Sequence, residues 1–274
     1  FSLRKAAVAG QFYPGNAMML KQAIFGYLEK AKQEGGTGIL KAVIVPHAGY
    51  IYSATTAAYA YKLLKNLDQT RTWKVLLIGP SHFVPFYGAS VSDKAKWETP
   101  LGVVEAKDLR KEIKDTENVS EIPCADTQEH SLEVQVPFLQ TVLKKFVLYP
   151  LVIGSSKADT LAEDLIEFCK QDDVIVVVSS DLSHYLPYLD AKKIDTKTLN
   201  TIAEMNIDKM IEVGDACGRT GILTLMFIAE KLGWKPKILD YRKSGDTAGD
   251  KSAVVGYGAV AFYSSDPNGR AENL

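Results

Sequence analysis

Apolar positions along this chain follow two alternating rhythms. Residues 16–33 (NAMMLKQAIFGYLEKAKQ) repeat at three-to-four spacing, which predicts an amphipathic helix. The same spacing predicts helices over 54–66, 130–145, 157–171, 190–203 and 219–232. Strand-like runs lie between them: LKAVIV (40–45), WKVLLIG (73–79), FVLYPLVI (146–153), DVIVVVSS (173–180) and AVVGYGAVAFY (253–263), with KPKILDY (235–241) a weaker one. Several of these runs are continuously apolar, the pattern of strands buried on both faces under helices. Strands interleaved with helices predict an α/β fold, a three-layer α/β/α sandwich around a mostly parallel or mixed central sheet. The last strands, close in sequence, are expected to add an antiparallel hairpin. GGTG at 35–38 reads as a turn. The polar stretch from Ser264 is expected to fray, giving one α/β domain over 1–263 and a flexible tail over 264–274.

Composition narrows the function classes. The chain is 46% hydrophobic and 24% charged, ordinary for a globular protein with a large core. Its 32 Lys plus Arg nearly balance 33 Asp plus Glu, so no basic footprint for a nucleic-acid partner is expected. The 3 cysteines, Cys124, Cys169 and Cys217, show no C-x-x-C spacing. That argues against a disulfide framework or structural zinc and for a reducing compartment. Cys169, in LIEFCK, reads as core. No apolar run reaches about 18 residues, and no signal-peptide pattern follows Phe1. The expectation is therefore a cytoplasmic protein with no membrane partner.

The 4 histidines carry the candidate chemistry. His47 follows LKAVIV, His82 follows WKVLLIG, and His184 follows DVIVVVSS, with Asp181 leaving the same strand end. In open α/β sheets, ligands bind outside the carboxyl ends of the strands. Three strands therefore bring a His to the edge where such folds place chemistry. His with a carboxylate suits iron, zinc, copper or manganese, and two His plus one carboxylate is a pattern of non-haem iron sites. A further His serves as acid or base near neutral pH. His130, in QEHSLE, sits at a predicted helix start with Glu129 and Glu133 beside it. This is either part of the site, with His130 catalytic and Glu129 touching substrate, or a charged helix start. Ser81 lacks the G-x-S-x-G setting of a nucleophile. SGDTAGDKS (244–252) has the wrong spacing for a phosphate loop and reads as either a functional loop or a hairpin turn.

At these residues the chain resembles the Memo family. The matching motifs are AGQFYPG (9–15), VPHAGYIYS (45–53), IGPSH (78–82), ETPLG (98–102), QEHSLEVQVPF (128–138), SSDLSHY (179–185) and SGDTAGDKSAVVGYGA (244–259). The resemblance implies a fold similar to class III extradiol ring-cleaving dioxygenases, which use ferrous iron. It implies a cleft formed by His47, His82, Asp181 and His184, with His47 and His82 as metal ligands and His184 as acid/base. Phe12 and Tyr52 fall where the family has cleft-lining aromatics. Thr247 stands where animal members carry a Cys ligand, so Asp246 is the expected source of the ligand carboxylate. The system name AmmeMemoRadiSam, borne by bacterial and archaeal relatives, implies a functional link to a radical-SAM protein.

The resulting expectation is a metal-dependent oxidoreductase of dioxygenase type. It would use one divalent transition metal, Fe(II) before Zn or Cu, on an aromatic or enolic small molecule or a modified peptide. The alternatives are a binding module that keeps the cleft without catalysis, and a metal-assisted hydrolase.

Overall fold

The computed structural model describes residues 2–32 and 35–265. In chain order the elements are β1 (Leu3–Arg4), α1 (Ala17–Lys30), β2 (Ile39–Val45), α2 (Tyr50–Leu64), β3 (Trp73–Pro80), β4 (Ala89–Val91), β5 (Lys96–Thr99) and β6 (Gly102–Glu105). Then come β7 (Val119–Glu121), α3 (His130–Glu133), α4 (Val136–Val142), β8 (Phe146–Ile153), α5 (Ala158–Cys169), β9 (Val174–Ser179) and β10 (His184–Leu186). The chain continues through α6 (Tyr188–Ala203), α7 (Ile207–Val213), α8 (Arg219–Leu232), β11 (Lys235–Lys243), α9 (Ser244–Thr247) and β12 (Val254–Ser264).

The main sheet runs β10-β12-β2-β9-β3-β8-β4-β7, with β11 also paired to β12. Its centre, β2-β9-β3-β8, is parallel. β12 joins β2 antiparallel, β4 joins β8 antiparallel, and β11 and β12 form the expected antiparallel pair. A small second sheet is ordered β1-β5-β6.

The continuous apolar runs are explained by two cores. Along β2, Val43 and Val45 face one core while Ala42 and Ile44 face the other. Val75 and Leu77 of β3 oppose Leu76 and Ile78 in the same way, and β9 splits Ile175 and Val177 from Val176 and Val178. Side chains alternate faces along a strand, so a strand covered on both sides must be apolar at every position. Leu20, Ile24, Ala57 and Tyr61 of α1 and α2 fill the first core with Phe138 of α4. Leu165, Leu199, Ile222 and Met226 of α5, α6 and α8 fill the second. This is the α/β sandwich expected from the pattern.

The differences from the sequence reading have local causes. The expected helix over 130–145 is two helices, α3 and α4. Pro137, in the first turn of α4, has no N–H to continue the ladder from α3. Helix α2 starts at Tyr50, directly behind the PHAG turn, rather than at 54. Ser264 ends β12, paired with Ile39, instead of opening a tail. Residues 266–274 of that expected tail lie outside the described residues.

Candidate metal centre

Three adjacent parallel strands end side by side, and each places a functional residue two positions beyond its last residue. His47 follows Val45 of β2, His82 follows Pro80 of β3, and Asp181 follows Ser179 of β9. His130 arrives from another direction, as the first residue of α3. Helix α3 comes this close because residue 79 is glycine. A Cβ there would lie 2.5 Å from Leu132 Cδ1 and 2.7 Å from Ser131 Oγ. Ser131 Oγ then donates to Pro80 O at 3.0 Å, locking α3 to the end of β3.

Hydrogen bonds fix which nitrogen of each imidazole is free. Ser179 Oγ donates its single proton to Ser131 O at 2.6 Å. It therefore acts as acceptor toward Gln135 Nε2 and His47 Nδ1, both at 2.9 Å. His47 must carry its proton on Nδ1, which leaves the Nε2 lone pair open. At His82, Nδ1 lies 2.8 Å from Glu129 Oε1, and the backbone N–H of His82 donates to Glu129 Oε2 at 2.6 Å. Glu129 is fully buried, and Ser131 N–H also donates to it. Burial pushes its pKa up, but these hydrogen bonds from His82 and Ser131 outweigh it and hold the carboxyl at about 2. An ionised carboxylate only accepts, so His82 also carries its proton on Nδ1 and offers Nε2. A carboxylate or hydroxyl behind the far nitrogen is the usual support of a metal-binding imidazole.

His47, His82 and His130 form a group that could hold a metal ion: one ligand atom from each lies within 4.8 Å of the others. The His82 and His130 rings stack with centroids 4.6 Å apart, and His47 meets both edge-on at 5.2 and 5.5 Å. Burial pushes the pKa of His47 well below its ordinary value, and the neighbouring imidazoles add to this. Burial also lowers that of His130, with His82 next in effect. Neutral imidazoles are what a metal requires, so the donor set fits one.

The remaining expected residues divide around this group. Asp181 is buried and accepts from His47 N–H at 2.8 Å, with its second oxygen 3.8 Å from His47 Nε2. Burial raises its pKa. His184, the first residue of β10, is outside the three-His group, but its charge is among the influences lowering the His47 pKa. Phe12 lies against His130 at 4.6 Å between centroids. Tyr52 is exposed, and its carbonyl accepts from Thr247 Oγ1 at 3.1 Å. Thr247 thus faces Tyr52 and Ser244. Asp246 is not in the group. Its Oδ1 accepts from Tyr188 at 2.5 Å and its Oδ2 from Lys243 N–H at 2.8 Å, closing the turn of α9. Glu129, expected on substrate, is sealed behind His82 and Ser131.

Sequence reasoning missed Ser179 and Gln135, whose roles depend on a hydrogen-bond chain between distant segments. It missed Phe83, whose ring lies 6.0 Å from His130. It also missed Cys217, whose Sγ lies 3.2 Å from His47 Nε2. Burial and Asp181 push that thiol up to about 12. Cys217 and Ser179 line a cavity of about 340 Å³ that extends between Ser81, Phe86, Ile153 and the start of α8. Among the described residues, none of those lining it is charged.

With this geometry in place, comparisons with known proteins agree with the motifs. Residues 4–261 match the family model described as Memo-like protein. A MEMO1 family protein of Nitrosopumilus maritimus is 35% identical over 280 residues, covering 95% of this chain and 99% of the relative. One from Aquifex aeolicus is 36% identical over 275 residues, with the same coverage. The crystal structure of an uncharacterized protein from Escherichia coli K12 superimposes with a TM-score of 0.50 at 12% identity, covering 81% of this chain and 99% of that one, a likeness of fold alone. Agreement across nearly the full length, in sequence and in the order of the motifs, places this chain in the Memo family.

Proposed function

We propose that this protein is an iron(II)-dependent oxidoreductase of dioxygenase type that acts on a small aromatic or enolic molecule, free or as a modified residue. The observation carrying this reading is the fixed tautomer of His47 and His82, together with the grouping of one ligand atom from each with one from His130 within 4.8 Å. His130 takes the ligand place expected for Asp246. When bound, the metal supplies Lewis-acid and one-electron redox chemistry at that point.

The chain's own residues do the rest. Ser179 and Glu129 hold the two strand-end imidazoles in one orientation, so little reorganisation is needed on binding. Phe12 and Phe83 flank His130 and offer apolar surface against which a flat ring stacks. Tyr52 stands exposed beyond Gly49 and gives the mouth an aromatic edge. His184 moves the substrate proton, while Asp181 fixes the His47 backbone.

The test is oxygen uptake by protein reconstituted with ferrous iron under anaerobic conditions and then offered a panel of catechols and enols. Uptake coupled to loss of one substrate, and abolished by His184→Ala with iron retained, is expected. The three-imidazole donor set also matches hydrolytic zinc sites. Ester or amide turnover that requires zinc, without oxygen uptake on any substrate, would transfer the assignment to that reading.

A further inference from the structure

The cavity of about 340 Å³ beside the histidines is built from the ends of three strands and one loop. Ile78 of β3, Ile153 of β8 and Val178 of β9 line it, with Val84, Pro85 and Phe86 from the loop behind β3. The first turn of α8 closes another side, and Gly221 permits the approach. A Cβ there would already touch Ile78 Cγ2 and Val178 Cγ1 at 3.3 Å. The space is preformed, because the loop is pinned to the end of β8. Ser155 N–H donates to Phe86 O at 2.8 Å, Gly88 N–H to Ser155 O at 2.7 Å, and Gly154 N–H to Gly88 O at 2.9 Å. Residue 154 is glycine where the Phe86 ring lies, since a Cβ would come within 2.8 Å of Phe86 Cδ2.

This wall suits no charged group. None of the described residues lining it is charged, and the loop from Ser81 to Gly88, SHFVPFYG, holds neither acid nor Lys or Arg. Arg219 follows the wall residue Gly218, but its guanidinium donates to the carbonyls of Ile211 and Gly214 at 3.3 and 3.4 Å. The Ser81 hydroxyl is engaged by Val84 O at 2.6 Å and the Ser179 hydroxyl by Ser131 O at 2.6 Å. A carboxylate lodged here would lose water without gaining a cation, whereas a hydrocarbon chain would gain with every methylene removed from water.

The cavity also borders the metal position. Ser179 and Cys217 stand in its wall, the first 2.9 Å from His47 Nδ1 and the second 3.2 Å from His47 Nε2. A cavity of about 150 Å³ accepts benzene, so this one exceeds what a bare ring needs. We propose that it is the subsite for an uncharged apolar substituent of the substrate, an alkyl or alkenyl chain on the ring that reaches the metal. The inference rests on the function proposed above and narrows its substrate class. Val84 and Phe86 then limit the length of chain accepted.

The experiment is titration of the full chain, reconstituted with ferric iron, with catechol, its 4-methyl, 4-ethyl, 4-propyl and 4-butyl derivatives, and 3,4-dihydroxybenzoate. A catechol that reaches the metal gives a catecholate-to-iron charge-transfer band, and its growth yields a dissociation constant. Affinity is expected to rise about two- to fourfold per added carbon, with 3,4-dihydroxybenzoate about tenfold weaker than 4-propylcatechol. Val84→Phe, which narrows the cavity, should flatten the series, and Val84→Ala should extend it to longer chains. Equal constants along the series, tightest binding by 3,4-dihydroxybenzoate, or a rise unchanged in both Val84 variants would overturn the subsite and leave the ring at the metal. No band with any catechol would overturn the proposed function and the subsite with it. Val84→Ala and the series on the unsubstituted chain decide the matter even if Val84→Phe fails to fold.

Discussion

Ser179 Oγ stands 2.9 Å from His47 Nδ1 and can only accept there, because its proton is committed to Ser131 O. One hydroxyl at the end of β9 thereby sets the protonation pattern of the imidazole at the end of β2. Ser179→Ala should lower metal affinity about 10–100-fold, the usual effect of removing such a partner. It should also cost about 1–3 kcal/mol, since the buried Gln135 amide loses an acceptor. Metal titration and chemical denaturation of the variant check the two effects separately.

Glu129 makes a parallel case at His82, with an added structural duty as the N-cap of α3. Glu129→Gln keeps the shape but not the charge and should weaken metal binding by about 10–100-fold. Glu129→Ala should add about 1 kcal/mol of lost stability through the missing cap. Equal metal affinity in all three proteins would remove Glu129 from the account of His82.

Glu133, four residues on, has a different task. It pairs with Arg4 at 2.7 Å, both side chains buried, and accepts from Ala7 N–H, Val8 N–H and Tyr13 OH. These bonds tie the N-terminal segment to α3 and so hold Phe12 over His130. Glu133→Ala should cost about 3–5 kcal/mol, because Arg4 is left buried and unpaired. Denaturant midpoints measure it, and a loss under about 1 kcal/mol would show that Arg4 finds water or another partner.

The depressed pKa values of His47 and His130 make the metal-free protein sensitive to acid. A histidine whose folded pKa lies below its ordinary 6.5 binds fewer protons folded than unfolded in the interval between the two values. Stability is then undiminished by these groups above 6.5 and falls as pH drops below it. His130→Gln should lose less stability than the unsubstituted protein between about pH 7 and pH 5. Parallel pH profiles would mean that burial of His130 imposes no such penalty.

The sandwich was legible because strands such as β2, β3 and β9 must be apolar on both faces, which leaves a continuous signature. The strand-end positions of His47, His82 and Asp181 were legible for the same reason, since the end of each apolar run locates them. Elements of two to four residues, such as β1, β4 and β7, are too short to show a period. The third imidazole was visible only as an alternative. His130 becomes a neighbour of His82 because Gly79 lets α3 approach β3, a relationship that no local spacing encodes. Asp246 looked available because sequence shows a carboxylate but not the Tyr188 hydroxyl and Lys243 backbone that engage it. Cys217 gave no signal, being a lone thiol in a loop whose meeting with His47 depends on the packing of α8.

The central claim is that His47 and His82 hold a transition metal. Its most direct test is the metal content, by plasma mass spectrometry, of untagged protein purified without oxygen, beside a folded His47→Ala, His82→Ala double variant. Near-stoichiometric iron or another transition metal in the first and none in the second is the predicted result. No metal in either, even after reconstitution with ferrous iron, would contradict it and leave the histidine cleft as a site for an organic ligand.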